Sequence, residues 1–201
     1  MTAPIPEKDP FLAQLEFWDS IRYHEAGHTV AARIFGFPIK RVWVGEDFSP
    51  DSLGRNEMDA RGQRFQRDYL PRTPRAWQRM QDFAVFCIAG IAAEARHTGV
   101  AFEEVRAPYW QGETHSIDYV AVRSMAQRLV YAGKAGLSDE IQEAHINLWE
   151  QRAIAMMAQD HIWRAVEAVV NVLQISDGPL DRAGLDEVFE ELSHLTGPHL
   201  R

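Results

Sequence analysis

Apolar residues recur at helical spacing through most of this chain, and the places where that spacing fails are short. Ile21, His24, His28, Ala31 and Phe35 form one stripe of a helix that Asp19 and Ser20 can cap and that Gly36 and Pro38 end. Ahead of it, Phe11, Leu12, Leu15, Phe17 and Trp18 predict a short amphipathic helix behind a loose tail containing Pro4, Pro6 and Pro10. Residues 1–18 therefore read as a tail with a short helix, and residues 19–196 as the folded domain. After Pro38 the helical spacing stops. Ile39-Lys40-Arg41-Val42-Trp43-Val44, rich in β-branched residues, predicts a strand, and Gly54-Arg55-Asn56-Glu57-Met58 is a weaker one. Together they predict a small antiparallel sheet beside the first helix.

Helical spacing then returns. Thr73 and Pro74 open a helix whose buried face is Trp77, Met80, Ala84, Cys87, Ile88, Ile91 and Ala95, and Gly99 closes it. Ala89-Gly90 and Ala92-Ala93 leave so little side-chain bulk that another helix can approach closely, and Glu94 among them is a conspicuous carboxylate. A loop with Pro108, Tyr109, Trp110 and Gly112 leads to a third helix from about His115 to Ala132, with Ile117, Val120, Ala121, Met125 and Leu129 inward. No glycine or proline falls between Gly136 and Gly178, which is too long for one ordinary helix and predicts a hairpin of two. Asp181 caps a last helix through Leu185, Val188, Phe189 and Leu192, stopped by Gly197-Pro198. The fold class is α+β, mainly α-helical, with a small antiparallel sheet and a C-terminal helical bundle.

Composition narrows the function classes. The chain has 201 residues, a quarter of them charged, and a formal net charge of −8, which argues against general nucleic-acid binding. Arg61, Arg64, Arg67, Arg72, Arg75 and Arg79 read as a solvated stretch, since no aromatic stacking motif accompanies them. The single cysteine, Cys87, allows no intrachain disulfide and fits a reducing, cytoplasmic setting. The N-terminal residues have neither the basic nor the apolar region of a signal peptide, and no apolar run approaches the roughly 20 residues of a membrane span. Nor is there a phosphate loop: Gly133-Lys134 is followed by Ala135.

The chemistry lies in Tyr23-His24-Glu25-Ala26-Gly27-His28-Thr29, which spells H-E-x-x-H. Residues four apart on a helix share a face, so His24 and His28 can each offer a ring nitrogen to one Zn²⁺. Glu25, about 100° round the helix, can act as general base on water that the metal activates. A third ligand is needed. Ala31 and Ile34 exclude the extended H-E-x-x-H-x-x-G-x-x-H arrangement, and spacing alone leaves Glu94 and Asp118 level, with His97 and His115 behind them.

Four segments resemble the peptidase domain of the FtsH-type ATP-dependent zinc metalloproteases, in the same order over residues 20–192. His24-Glu25-Ala26-Gly27-His28 is identical to that family's H-E-A-G-H. Ala89-Gly90-Ile91-Ala92-Ala93-Glu94 is similar to its G-G-R-A-A-E, with alanine for the first glycine and isoleucine for the arginine. Gly112 to Asp118, then Ala126 to Val130 and Gly136-Leu137-Ser138, is similar to G-x-S-N-D…A-R-x-M-V…G-M-S, and Leu180 to Leu185 resembles the segment after its last long helix. The resemblance implies Asp118 as third ligand, and Glu94 as a carboxylate that orients a ligand or packs a helix end. His115, three residues before Asp118, could add a metal contact or stabilise an oxyanion. It also implies a zinc metalloendopeptidase acting on peptides or unfolded protein, with substrate extended against the sheet near Gly54. The family's membrane segments and ATPase domain have no counterpart here, so an ATPase partner would act in trans, and a homo-oligomer is a further expectation. The rival is a non-enzymatic interaction module with a structural zinc, against which the intact Glu25 argues.

Overall fold

The computed structural model describes residues 9–45, 54–59, 71–112, 118–132 and 139–196. The expectations for His115, for Arg61, Arg64 and Arg67, for Gly136-Leu137-Ser138 and for Gly197-Pro198 fall outside them.

Helix α1 runs unbroken from Pro10 to Phe35, where the sequence predicts two helices with a cap at Asp19. The true cap is Asp9, whose carboxylate accepts from the Phe11 N–H at 2.9 Å, with Pro10 in the first turn. Asp19 is accommodated inside the helix because its carboxylate takes Arg22 at 2.7 Å, one turn away. At the other end Gly36 adopts φ 65°, and its N–H closes on Ala32 and Arg33. The predicted single stripe also proves too narrow, since every residue from His24 to Ala32 is buried. The middle of α1 is a spine packed on all sides.

Strand β1 (Ile39–Val44) pairs antiparallel with β2 (Gly54–Met58), Val42 opposite Asn56 and Val44 opposite Gly54. A two-residue strand, β3 (Leu180–Asp181), joins on the other side of β1, giving the order β2-β1-β3 and leaving β2 at an edge. Two residues are too few to carry a period, which is why the sequence did not announce them.

Helix α2 (Pro74–Thr98) has the predicted caps: Thr73 accepts from the Ala76 N–H, and Gly99 adopts φ 67°. It lies against α1 at close range. A Cβ on Gly27 would stand 2.6 Å from the Ala89 carbonyl oxygen and 2.7 Å from the Ala89-side neighbour Ala93 Cβ, so the small residues on both helices set their separation. The segment expected as a loop is instead helix α3 (Phe102–Gln111), with Pro108 inside it and Gly112 ending it at φ 75°. Glu103 and Glu104 in its first turn offset the exposed N–H groups there. Next come α4 (Asp118–Ala132), the expected hairpin α5 (Asp139–Met157) and α6 (Asp160–Ile175), and α7 (Arg182–Thr196). Asp181 caps α7 as predicted, accepting from the Gly184 N–H at 3.0 Å. Among the described residues no helix is long and apolar enough to cross a membrane.

Candidate metal centre

His24 and His28 stand one turn apart on α1, and Asp118 enters from the first residue of α4. Their ligand atoms form a near-equilateral triangle: 3.1 Å between the two Nε2 atoms, then 3.3 and 3.4 Å from these to Asp118 Oδ2. The other ring nitrogens fix what those atoms present. His28 Nδ1 lies 2.8 Å from the Phe86 carbonyl, which can only accept, so Nδ1 carries the proton. His24 Nδ1 lies 3.2 Å from Glu94 Oε2 and likewise donates. Both Nε2 lone pairs therefore face each other and a carboxylate in a buried space, an arrangement that calls for a cation. A tetrahedral ion with ligands at about 2.0–2.1 Å separates them by roughly 3.3–3.4 Å, and the triangle fits that requirement. The cluster His24, His28 and Asp118 can hold a metal ion.

In the absence of a metal the same convergence draws in a proton. Burial alone would lower the His24 pKa, but the Asp118 and Glu94 carboxylates outweigh it and hold it up at about 10. Burial would raise the Asp118 carboxyl, yet the two histidines pull it well below the usual range.

Glu94 sits behind His24, on the ring nitrogen facing away from the triangle. Its carboxylate accepts from Tyr109 Oη at 2.8 Å and from Ser20 Oγ at 3.2 Å as well. Tyr109 also lies nearly parallel to the His24 ring, centroids 5.4 Å apart. Glu94 thus meets His24 from the side away from the triangle and does not enter the triangle itself. His97 is elsewhere, stacked on Tyr23 at 3.7 Å.

Glu25 is buried beside the sheet edge. Asn56 on β2 donates to its carboxylate at 2.6 Å and to its backbone carbonyl at 2.8 Å, while Thr29 donates to the Asn56 side-chain oxygen at 2.8 Å. Burial pushes the Glu25 carboxyl up, and the nearby histidines and Asn56 pull in the other direction. A Cβ on Gly54 would stand 2.8 Å from Glu25 Cγ, so β2 can pass this close only with glycine there. Asn56 and Tyr109 are the site residues that sequence reasoning did not single out. The one signal was an amide in the middle of a weak strand.

Gly90 on α2 lies directly under the two imidazoles. A Cβ there would meet His28 Nε2 at 2.5 Å and His24 Cδ2 at 2.9 Å. Gly90→Ala is expected to cost about 1–3 kcal/mol by overpacking a rigid neighbourhood, read as a lower thermal midpoint by circular dichroism. A midpoint equal to that of the unsubstituted chain would mean that the rings have room to move.

Comparison with protein-family models, with curated proteins and with solved structures returns no match.

Proposed function

We propose that this chain is a zinc-dependent metalloendopeptidase. The observation that carries the reading is the pairing of a triangle that could hold a metal with a buried carboxylate, Glu25, which stands on the same helix turn and is held by Asn56. A purely structural metal site has no use for such a base.

His24, His28 and Asp118 would hold the ion, and two imidazoles with one carboxylate are a donor set that suits zinc. Bound there, zinc would supply Lewis acidity that sharpens both the attacking water and the scissile carbonyl. Glu25 takes the water proton on its carboxylate and returns it to the leaving amine. Burial supports this role, because a carboxyl with a raised proton affinity is a better acceptor near neutral pH. Asn56 keeps the carboxylate in place through both transfers. Substrate lies extended against β2, the outer strand of the sheet, where backbone pairing reads no particular sequence. The substrate class is a peptide or an unfolded segment, and an ATPase is the kind of partner that would open folded proteins for it.

The test pairs elemental analysis with cleavage of unfolded casein. One zinc per chain is expected, with cleavage that a chelator abolishes and added zinc restores. Stoichiometric zinc with no cleavage would overturn the reading in favour of a binding module.

A further inference from the structure

Glu150 on α5 is 6% exposed, and nothing in the proposed reaction uses it. Burying a carboxylate is unfavourable unless it is paired, and here the partners come from two other helices. Its Oε1 accepts from Tyr119 Oη on α4 at 2.6 Å and from Arg106 Nη1 on α3 at 2.9 Å. Tyr119 is itself 1% exposed, with its ring edge-on to Trp110 of α3 at 5.5 Å. Arg106 and Arg123 lie over the Trp110 ring at 5.1 and 4.3 Å. One carboxylate thus ties α3, α4 and α5 together at the residue immediately after Asp118.

Position matters because Asp118 is the first residue of α4. A helix end frays unless it is pinned, so a ligand on that residue is only as well placed as its turn. Tyr119 pins the turn from the buried side. The metal triangle has an edge of only 3.1 to 3.4 Å, and a shift of an ångström in Asp118 would spoil it.

We infer that Glu150 is a positioning residue: through Tyr119 and Arg106 it fixes the first turn of α4 and thereby sets the metal affinity of the His24–His28–Asp118 site. The inference rests on the metal reading above and concerns a residue with no contact to the metal cluster.

The test is zinc affinity by competition with a chromogenic chelator, together with the visible spectrum of the Co²⁺-loaded chain. Tyr119→Phe deletes one oxygen and leaves the ring packed; it is expected to weaken zinc binding about tenfold or more, as outer partners of ligands commonly do. Glu150→Leu should do the same, and Glu150→Gln, which keeps an acceptor oxygen, should recover most of the affinity. The Co²⁺ bands of Tyr119→Phe should change in intensity or position as the carboxylate ligand moves. A merely structural role would lower the thermal midpoint and leave both readouts alone. Folded Tyr119→Phe that binds zinc within about twofold of the parent chain, with an unaltered Co²⁺ spectrum, overturns the inference, even if Glu150→Leu fails to fold. Failure of the parent chain to bind zinc would overturn the metal reading itself, a distinct outcome.

Discussion

Glu25→Gln is expected to retain its metal in full and to lose cleavage by about 10²–10⁴-fold, the usual contribution of a positioned proton acceptor. The two halves of that expectation come from separate contacts. Metal retention follows because, among the described residues, the triangle is made of His24, His28 and Asp118 and does not include Glu25. The loss follows because an amide cannot take the water proton. Glutamine also preserves the shape of the site, since its carbonyl oxygen can still accept from Asn56, which lies 2.6 Å from the native carboxylate. Elemental analysis and casein cleavage on the same preparation read both. Undiminished cleavage would remove Glu25 from its assigned role and leave the metal site untouched.

Asp118→Ala is expected to lose zinc affinity by more than the roughly 10–100-fold that an outer partner commands. Two imidazoles would remain, with Nε2 atoms 3.1 Å apart and no anion between them to offset the charge of the ion. Glu94→Ala is the informative companion, because the two carboxylates cannot be separated by their spacing from the histidines. Glu94 meets His24 at Nδ1, whereas Asp118 meets both Nε2 atoms, so its removal should fall within the 10–100-fold range. Full zinc occupancy in Asp118→Ala, or a larger deficit in Glu94→Ala, would reverse the assignment of the third ligand.

Much of this was legible in the residues, for identifiable reasons. The convergence of His24 and His28 on α1 was visible because a four-residue spacing has one geometric meaning on a helix, and the packing of α2 because a run of alanine and glycine permits only close approach. Caps at Thr73, Gly99 and Asp181 were visible because those side chains and that glycine have few other uses at a helix end. The misreadings share a cause: local chemistry was overruled by something distant. Asp19 and Ser20 resemble a cap, but Arg22 and Glu94 occupy their side chains inside a continuous helix. Pro108 suggested a loop, yet α3 tolerates it while Tyr109 reaches across to Glu94. Asn56 had no periodic signature at all. Its role exists only because β2 is drawn within reach of α1 by pairing with β1, and no spacing within β2 could disclose that.

His24 and Asp118 are 94 positions apart, with α2 and α3 lying between them in the chain. The unfolded polypeptide can therefore offer an ion two histidines on one turn but not the complete set, since closing so long a loop carries a substantial entropic penalty. Asp118 joins the two histidines only where α4 lies against α2 and α2 against α1, so the complete set belongs to the folded chain. Metal-holding capacity is in this sense a property of the assembled fold and of no single segment. On the proposed reading, a partly unfolded copy would hold an ion only weakly, and any hydrolysis would be confined to molecules in which these helices have come together.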